Sequence, residues 1–268
     1  MPSPDEFAHE VRRLVLEQSR RAHVGHIGSS LAVADIVALL YGRLLKGQDP
    51  DAVERDRVIL SKGHAALALY AGLHLAGHIS AADLDTYCRD DSLLGVHPEP
   101  QLKGVDFAAG SLGQGLSVAA GAALAARIKG AQRCVFAVLS DAECNEGAVW
   151  EAAMFAAHHR LANLVAIVDM DAQQAFGFTR EVLDLEPMAE RWRAFQWDVH
   201  EVDGHDVDLM QATIESLDMA AGRPHVLLAR TVFGHGVSFM ESQIKWHYLP
   251  MDEAQYSQAL QDIEALRR

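Results

Sequence analysis

Two aspartates sit where two apolar runs end. Cys134-Val135-Phe136-Ala137-Val138-Leu139 leads into Ser140-Asp141-Ala142-Glu143, and Leu164-Val165-Ala166-Ile167-Val168 leads into Asp169-Met170-Asp171-Ala172-Gln173. A helical segment lies between the runs, and Asp141 and Asp171 are thirty positions apart. Read as buried parallel strands, the runs put both acids at the strand-end edge where α/β sheets bind ligands. A right-handed crossover keeps such strands close together. The two carboxylates can then share a divalent cation, and magnesium commonly keeps phosphate oxygens in its octahedral shell. Taken singly, each acid reads equally well as a helix cap or a turn residue.

Histidines are the second source of chemistry. Of fourteen, His26, His64, His97 and His247 lie in turns flanked by glycine or proline. Imidazole suits recognition of sugar hydroxyls and proton transfer near neutral pH. A structural, hydrogen-bonded histidine is the alternative at each position, and sequence spacing does not bring the four together. No HExxH motif or paired Cys/His spacing points to zinc. The turn Gly110-Ser111-Leu112-Gly113-Gln114-Gly115 opens a helical stretch and can offer backbone N–H groups to an anion. Close helix packing explains its glycines as well.

The elements that must position these residues alternate between strand and helix. An amphipathic helix is expected from about Asp5 to Ala22, with Pro4 ahead of its first turn. Further helices are expected over about Leu31–Leu45, His64–Ala76, Gly115–Lys129, Glu186–Phe195 and Val207–Met219. Strands are expected at Arg57–Leu60, Cys134–Leu139, Leu164–Val168, Trp197–Val202 and Pro224–Thr231, with Cys134 in the strand core. The fold class is α/β, a parallel sheet with helices on both faces. No repeat, linker or low-complexity tract divides residues 1–268, so a single domain is expected.

Composition narrows the function classes. The chain has 268 residues, half of them apolar, and a formal net charge of −14. That charge argues against a nucleic-acid partner. No apolar run approaches the ~18 residues of a membrane span. The N-terminal residues lack the features of a signal peptide, and the three cysteines show no metal-like spacing. A cytoplasmic protein with reduced thiols is expected.

The order of motifs resembles the N-terminal, diphosphate-binding half of transketolase, especially the short subunit of split transketolases. The resemblance covers nearly the whole chain. It is carried by Gly25-His26-Ile27-Gly28, Ser61-Lys62-Gly63-His64, Gly95-Val96-His97-Pro98-Glu99 and the Gly110–Gly115 turn. It continues through Glu146-Gly147, Val202-Asp203-Gly204-His205-Asp206, Gly236-Val237-Ser238-Phe239-Met240-Glu241 and Trp246-His247. It implies a thiamine-diphosphate-binding fold, and thiamine diphosphate with Mg2+ or Ca2+ as cofactors. Asp141 and Asp171 match the metal ligands, joined by the backbone carbonyl of Gln173. Gly110, Leu112, Asp141, Ala142, Glu143, Asp171, His64 and His247 match the cofactor-binding region. His26, His64, His97 and His247 match histidines lining the diphosphate and the donor hydroxyls. Glu146 matches a glutamate linking the two active sites of the dimer, with a helix-start acid as the plain alternative.

The best-known motif departs from the family pattern three times. Ser140 and Ala142 stand for its two glycines, and Asp171 for its asparagine. A Cβ at Ala142 matters only if that residue has positive φ or touches the diphosphate closely, a strained case costing about 1–2 kcal/mol. The extra charge at Asp171 is expected to make cofactor binding depend more steeply on metal. The second half of a complete transketolase is missing from this pattern. The resemblance therefore implies a separate pyrimidine-binding subunit, two of each chain, and transfer of a two-carbon ketol unit from a ketose to an aldose. Alternatives are the same transfer on an unusual substrate of a specialised pathway, and a non-catalytic cofactor-binding subunit.

Overall fold

The computed structural model describes residues 3–46, 49 and 52–267. From the N-terminus come α1 (Pro4–Ala22), α2 (Ile27–Ala32), α3 (Ala34–Leu39), β1 (Arg57–Leu60), α4 (Ala66–Leu75), α5 (Ala81–Leu84) and α6 (Gly115–Ile128). Next are β2 (Val135–Ser140), α7 (Gly147–His158), β3 (Leu164–Met170), a hairpin of β4 (Gln173–Gln174) and β5 (Gly177–Phe178), α8 (Thr179–Val182) and α9 (Met188–Ala194). The chain closes with β6 (Asp198–Asp203), α10 (Val207–Glu215), β7 (His225–Arg230) and α11 (Glu253–Ala265).

The main sheet is five-stranded, ordered β1-β2-β3-β7-β6, and every pairing in it is parallel. Its central strands are apolar throughout because both faces are covered. Phe136, Val138, Val165, Ile167 and Leu227 pack with α1, α3, α4 and α10. Their neighbours Val135, Ala137, Leu164, Ala166 and Val226 pack with α6, α7 and α9 on the other face. The order runs forward from β1 to β3 but backward from β6 to β7. Right-handed crossovers therefore send α6 and α7 to one face and α10 to the other. Connections leaving the adjacent strands β3 and β7 diverge to opposite faces, which opens a crevice at their carboxyl ends.

Most elements fall where the sequence places them, α1 among them. Its entry is fixed by a capping box, with the Ser3 hydroxyl accepting Glu6 N–H at 3.2 Å and Glu6 accepting Ser3 N–H at 2.7 Å. Three local differences matter. The helix expected over 31–45 starts at Ile27, breaks at Val33 and ends in a π-helical turn, Leu40–Leu44. All of α2 and α3 is buried, so apolar spacing carries no trace of the break. Cys134 lies just before β2, half-buried, its N–H bonded to Asp56. The β3 strand runs on to Met170, which puts Asp169 inside the ladder opposite Ser140.

Candidate functional site

Asp141 follows the last residue of β2, and Asp171 follows the last residue of β3. Both are buried. The Asp141 N–H extends the ladder by donating to Asp169 O at 3.0 Å. Its carboxylate accepts Ala142 N–H at 2.7 Å through Oδ1 and Ala172 N–H at 3.0 Å through Oδ2. Asp171 Oδ1 accepts Gln173 N–H at 2.9 Å, which fixes the backbone of the buried Gln173 at the start of the hairpin. Amide donors thus set the orientation of both carboxylates. Burial pushes the Asp141 carboxyl well above the usual range, and the neighbouring Asp171 and Asp169 push the same way. Asp171 is pushed up to about 7, again chiefly by burial. Two converging, dehydrated carboxylates favour a nearby cation.

One cation is already present. Lys62, fully buried, reaches from the end of β1 to the end of β3. Its Nζ is ion-paired with Asp169 and lies 3.6 Å from Asp171 Oδ2. Burial opposes the lysine charge, but Asp169 and Asp171 outweigh it and push its pKa up to about 12. Asp169 also accepts the Thr231 hydroxyl, which ties the end of β3 to the residue after β7.

The four histidines, distant in sequence, meet beside this acid cluster. The ring centroids of His26 and His64 are 5.7 Å apart, and those of His64 and His247 are 6.5 Å apart. His26 caps α2 in the left-handed region, φ 60°, and its N–H donates to His247 O at 3.3 Å. Phe233 lies against His247, centroid to centroid 4.3 Å. His97, exposed, lies against Gly110, where an added Cβ would stand 3.3 Å from the imidazole Cγ. Burial holds His26 and His64 below the ordinary histidine range, His64 by far the more, with repulsion from His97 adding at both. Burial, then Lys62 and His26, lowers His247 to about 4. At neutral pH these three rings are uncharged, and each can donate and accept a hydrogen bond.

Glu143 binds the surrounding loops to one another. It is fully buried, and its carboxylate accepts the Ser61 hydroxyl, Gly113 N–H at 2.7 Å and Ser140 N–H at 3.4 Å. Its own N–H donates to Ser140 Oγ at 3.1 Å. Ser61 Oγ also accepts Gly115 N–H at 3.1 Å. Two N–H groups of the glycine turn, those of Gly113 and Gly115, are therefore used inside the protein. Glu146 is exposed at the start of α7, beside Gly113.

The transketolase thiamine diphosphate binding domain matches residues 4–263. The chain belongs to the transketolase family. It is 39% identical over 260 residues to the 6-deoxy-6-sulfo-D-fructose transketolase subunit of Clostridium sp. (strain MSTE9), covering 96% of this chain and 94% of that one. It is 37% identical over 254 residues to an apulose-4-phosphate transketolase subunit of Phocaeicola vulgatus, covering 94% and 90%. The crystal structure of transketolase from Campylobacter jejuni superposes with a TM-score of 0.91 at 28% identity, over 98% of this chain. This chain spans only 43% of that longer transketolase. It is a transketolase-type, thiamine diphosphate-dependent transferase subunit.

Within this transketolase framework the altered aspartate motif carries little strain. Ala142 opens a right-handed 3-10 turn and is not among the residues with positive φ. Ser140 offsets its lost glycine by accepting the Glu143 N–H. The strain lies at Ala172, φ 60°, whose N–H donates to Asp141. Left-handed alanine costs about 1–2 kcal/mol, partly offset by the ~0.4–1 kcal/mol that glycine loses through its freer unfolded chain. Thermal melting should therefore find Ala172→Gly unchanged or up to about 1.6 kcal/mol more stable. Ala142→Gly should lose about 0.5–1 kcal/mol. The reverse order would contradict this assignment.

Lys62, Asp169, Thr231 and Ser61 are site residues that sequence reasoning alone does not single out. Lys62 and Ser61 sit inside a family motif, but a lysine after a strand ordinarily reaches solvent. The surplus of acids in Asp169-Met170-Asp171 is the one sequence signal that a buried cation is needed.

Proposed function

We propose that this chain is the diphosphate-binding subunit of a two-chain transketolase that moves a two-carbon ketol unit from a ketose to an aldose. Residues 1–268 form one thiamine diphosphate-binding unit in this reading. The observation that carries it is the meeting of Asp141 and Asp171 with His26, His64, His97 and His247 at one end of the sheet. The residues fit the cofactor and its metal. Asp141, Asp171 and the Gln173 carbonyl form an all-oxygen donor set of the kind that Mg2+ or Ca2+ prefers. His26 Nδ1 and His247 Nε2 are buried atoms with no hydrogen-bond partner among the described residues, as expected of groups awaiting a ligand.

Thiamine diphosphate, when bound, supplies the nucleophile and electron sink for breaking a carbon–carbon bond beside a carbonyl. The chain's own residues anchor and surround it. Asp141 and Asp171 would hold the cation, and Gly110 and Leu112 would border the cofactor beside His97. Neutral His26, His64 and His247 bind donor hydroxyls and can accept a proton from them. Glu146, exposed, faces the second half of the assembly. Ala142 would border the diphosphate, while Glu143 holds the loops from within.

A separate pyrimidine-binding subunit completes the site, in an assembly of two of each chain. The full-length transketolase that this chain covers in part, and relatives named as subunits, support that reading. No helix among the described residues is long and apolar enough to cross a membrane, and a cytoplasmic location fits the net charge and cysteine usage. A second reading keeps the chemistry and changes the substrate. Related subunits are named for a sulfonated ketose and for apulose-4-phosphate, so a specialised sugar is the favoured donor.

Calorimetry with thiamine diphosphate and Mg2+, run with and without the partner subunit, tests cofactor binding. A panel of phosphorylated and sulfonated ketoses then tests the donor. Micromolar binding and release of an aldose two carbons shorter are the expected results. No cofactor binding under either condition would overturn the assignment.

A further inference from the structure

We propose that Asp198, His200 and His225 form a second metal site, built for a divalent transition ion such as Zn2+ at the edge of the main sheet. One ligand atom from each residue lies within 4.8 Å of the other two. Asp198 Oδ2 is 3.1 Å from His200 Nε2 and 3.2 Å from His225 Nδ1. The inference does not depend on the thiamine diphosphate reading, because none of these residues belongs to that site.

Strand geometry brings the three together. Side chains two apart share a face, so Asp198 and His200 point to the same side of β6. The parallel register sets Asp198 opposite His225, on the neighbouring strand β7. Asp198 is the first residue of β6 and His225 the first of β7. The site therefore lies at the amino ends of the strands, whereas Asp141 and Asp171 follow the carboxyl ends of theirs. At about 3.3 Å of rise per residue, the six residues of β7 put roughly 16 Å between the two ends. Sequence spacing carries no sign of the cluster, because its third member comes from a different strand.

The distances suit a metal. Zinc binds imidazole nitrogen and carboxylate oxygen at about 2.0–2.2 Å in tetrahedral geometry, so its ligands stand about 3.3 Å apart. Two edges of that tetrahedron are already present, and the third needs a closure of at most about 1.5 Å. His225 is fully buried, and its Nε2 has no partner among the described residues. Packing thus leaves Nδ1 as its one engaged nitrogen and aims it at Asp198. His200 and Asp198 are partly exposed, which gives an ion a way in from solvent and lets water take the fourth position. Two nitrogens and one oxygen favour zinc over Mg2+ or Ca2+, which prefer oxygen alone. A second cluster, Asp35 with His205 and His235, shows what excludes a metal. There the Arg12 guanidinium holds both oxygens of Asp35, and His205 Nε2 accepts Val232 N–H at 2.9 Å. At Asp198 the carboxylate instead meets two imidazoles.

The test is calorimetric titration of Zn2+ into the chelator-stripped full chain, in excess Mg2+ so that all-oxygen positions stay filled. One Zn2+ per chain is expected, bound at least tenfold more weakly by His200→Ala and by Asp198→Asn. Both residues are partly exposed, so both variants should fold as wild type does, which circular dichroism checks. Asp141→Asn should bind Zn2+ within threefold of wild type. Co2+ gives a spectroscopic signature, because a four-coordinate ion with two imidazoles absorbs intensely in the visible and a six-coordinate, all-oxygen one weakly. Zn2+ at 100 times its Kd should raise the wild-type melting temperature by roughly 5 °C or more, and that of His200→Ala by less than half as much. A wild type that binds no Zn2+ would overturn the proposal. So would Zn2+ affinity kept within threefold by both His200→Ala and Asp198→Asn, which would place the ion on other groups. Weak, six-coordinate Co2+ bands, or Zn2+ binding lost in Asp141→Asn instead, would assign the ion to the cofactor position and equally overturn it.

Discussion

Asparagine in place of Asp141 should weaken cation-dependent binding of thiamine diphosphate by roughly 100-fold or more while leaving the fold intact. Asp141 accepts two backbone N–H groups, from Ala142 and Ala172, one through each oxygen. Asparagine offers one acceptor oxygen and one NH2 group, so one backbone N–H must face another donor. The loss of charge adds to this. Removing one partner from a buried charge pair costs about 3–5 kcal/mol, which corresponds to roughly 150-fold or more in affinity. The two loops meeting at Asp141 would move apart together, because its carboxylate joins the β2 turn to the β3 turn. Calorimetry in Mg2+ reads the affinity, and circular dichroism checks the fold. Binding within threefold of wild type would show that Asp141 is not a metal ligand.

Alanine in place of Glu143 should act on the protein rather than only on the ligand, lowering stability by at least about 3 kcal/mol. The resemblance places Glu143 among cofactor-binding residues, but its carboxylate is turned inward to three donors on three segments. Truncation leaves Ser61 Oγ–H, Gly113 N–H and Ser140 N–H in a buried space without an acceptor. Each unsatisfied group costs about 1–3 kcal/mol. For a chain of this length that loss should lower the melting temperature by roughly 10 °C. Glu143→Gln keeps one acceptor oxygen and should fall between the two. A stable Glu143→Ala protein with weak cofactor binding would return Glu143 to direct contact with the ligand.

Asp141 and Glu143 also differ in how far the sequence reveals their roles. As neighbours in one motif they have equal claims on the cofactor. The 3-10 turn at Ala142–Asn145 decides between them, by turning Glu143 into the protein while Asp141 stays at the strand edge.

The sequence by itself determined the α/β class, the order of the five main strands and most helices, and the family, but not α11 or the β4–β5 hairpin. Those properties follow from local signals: apolar runs bounded by turns, caps, and motifs in a fixed order. It also placed Asp141 and Asp171 at strand ends, because strand period and crossover handedness are local or general rules. Tertiary structure alone decided which side chains meet. His26, His64 and His247 meet because the N-terminus of α2, the loop after β1 and the segment after β7 pack together, a fact no single segment contains. The same holds for Lys62. Its burial is set by the acids two strands away, and a lysine's own sequence neighbourhood carries no record of them. Asp169 and Asp171 read as two acids in the sequence, and only the fold brings the Lys62 ammonium between them.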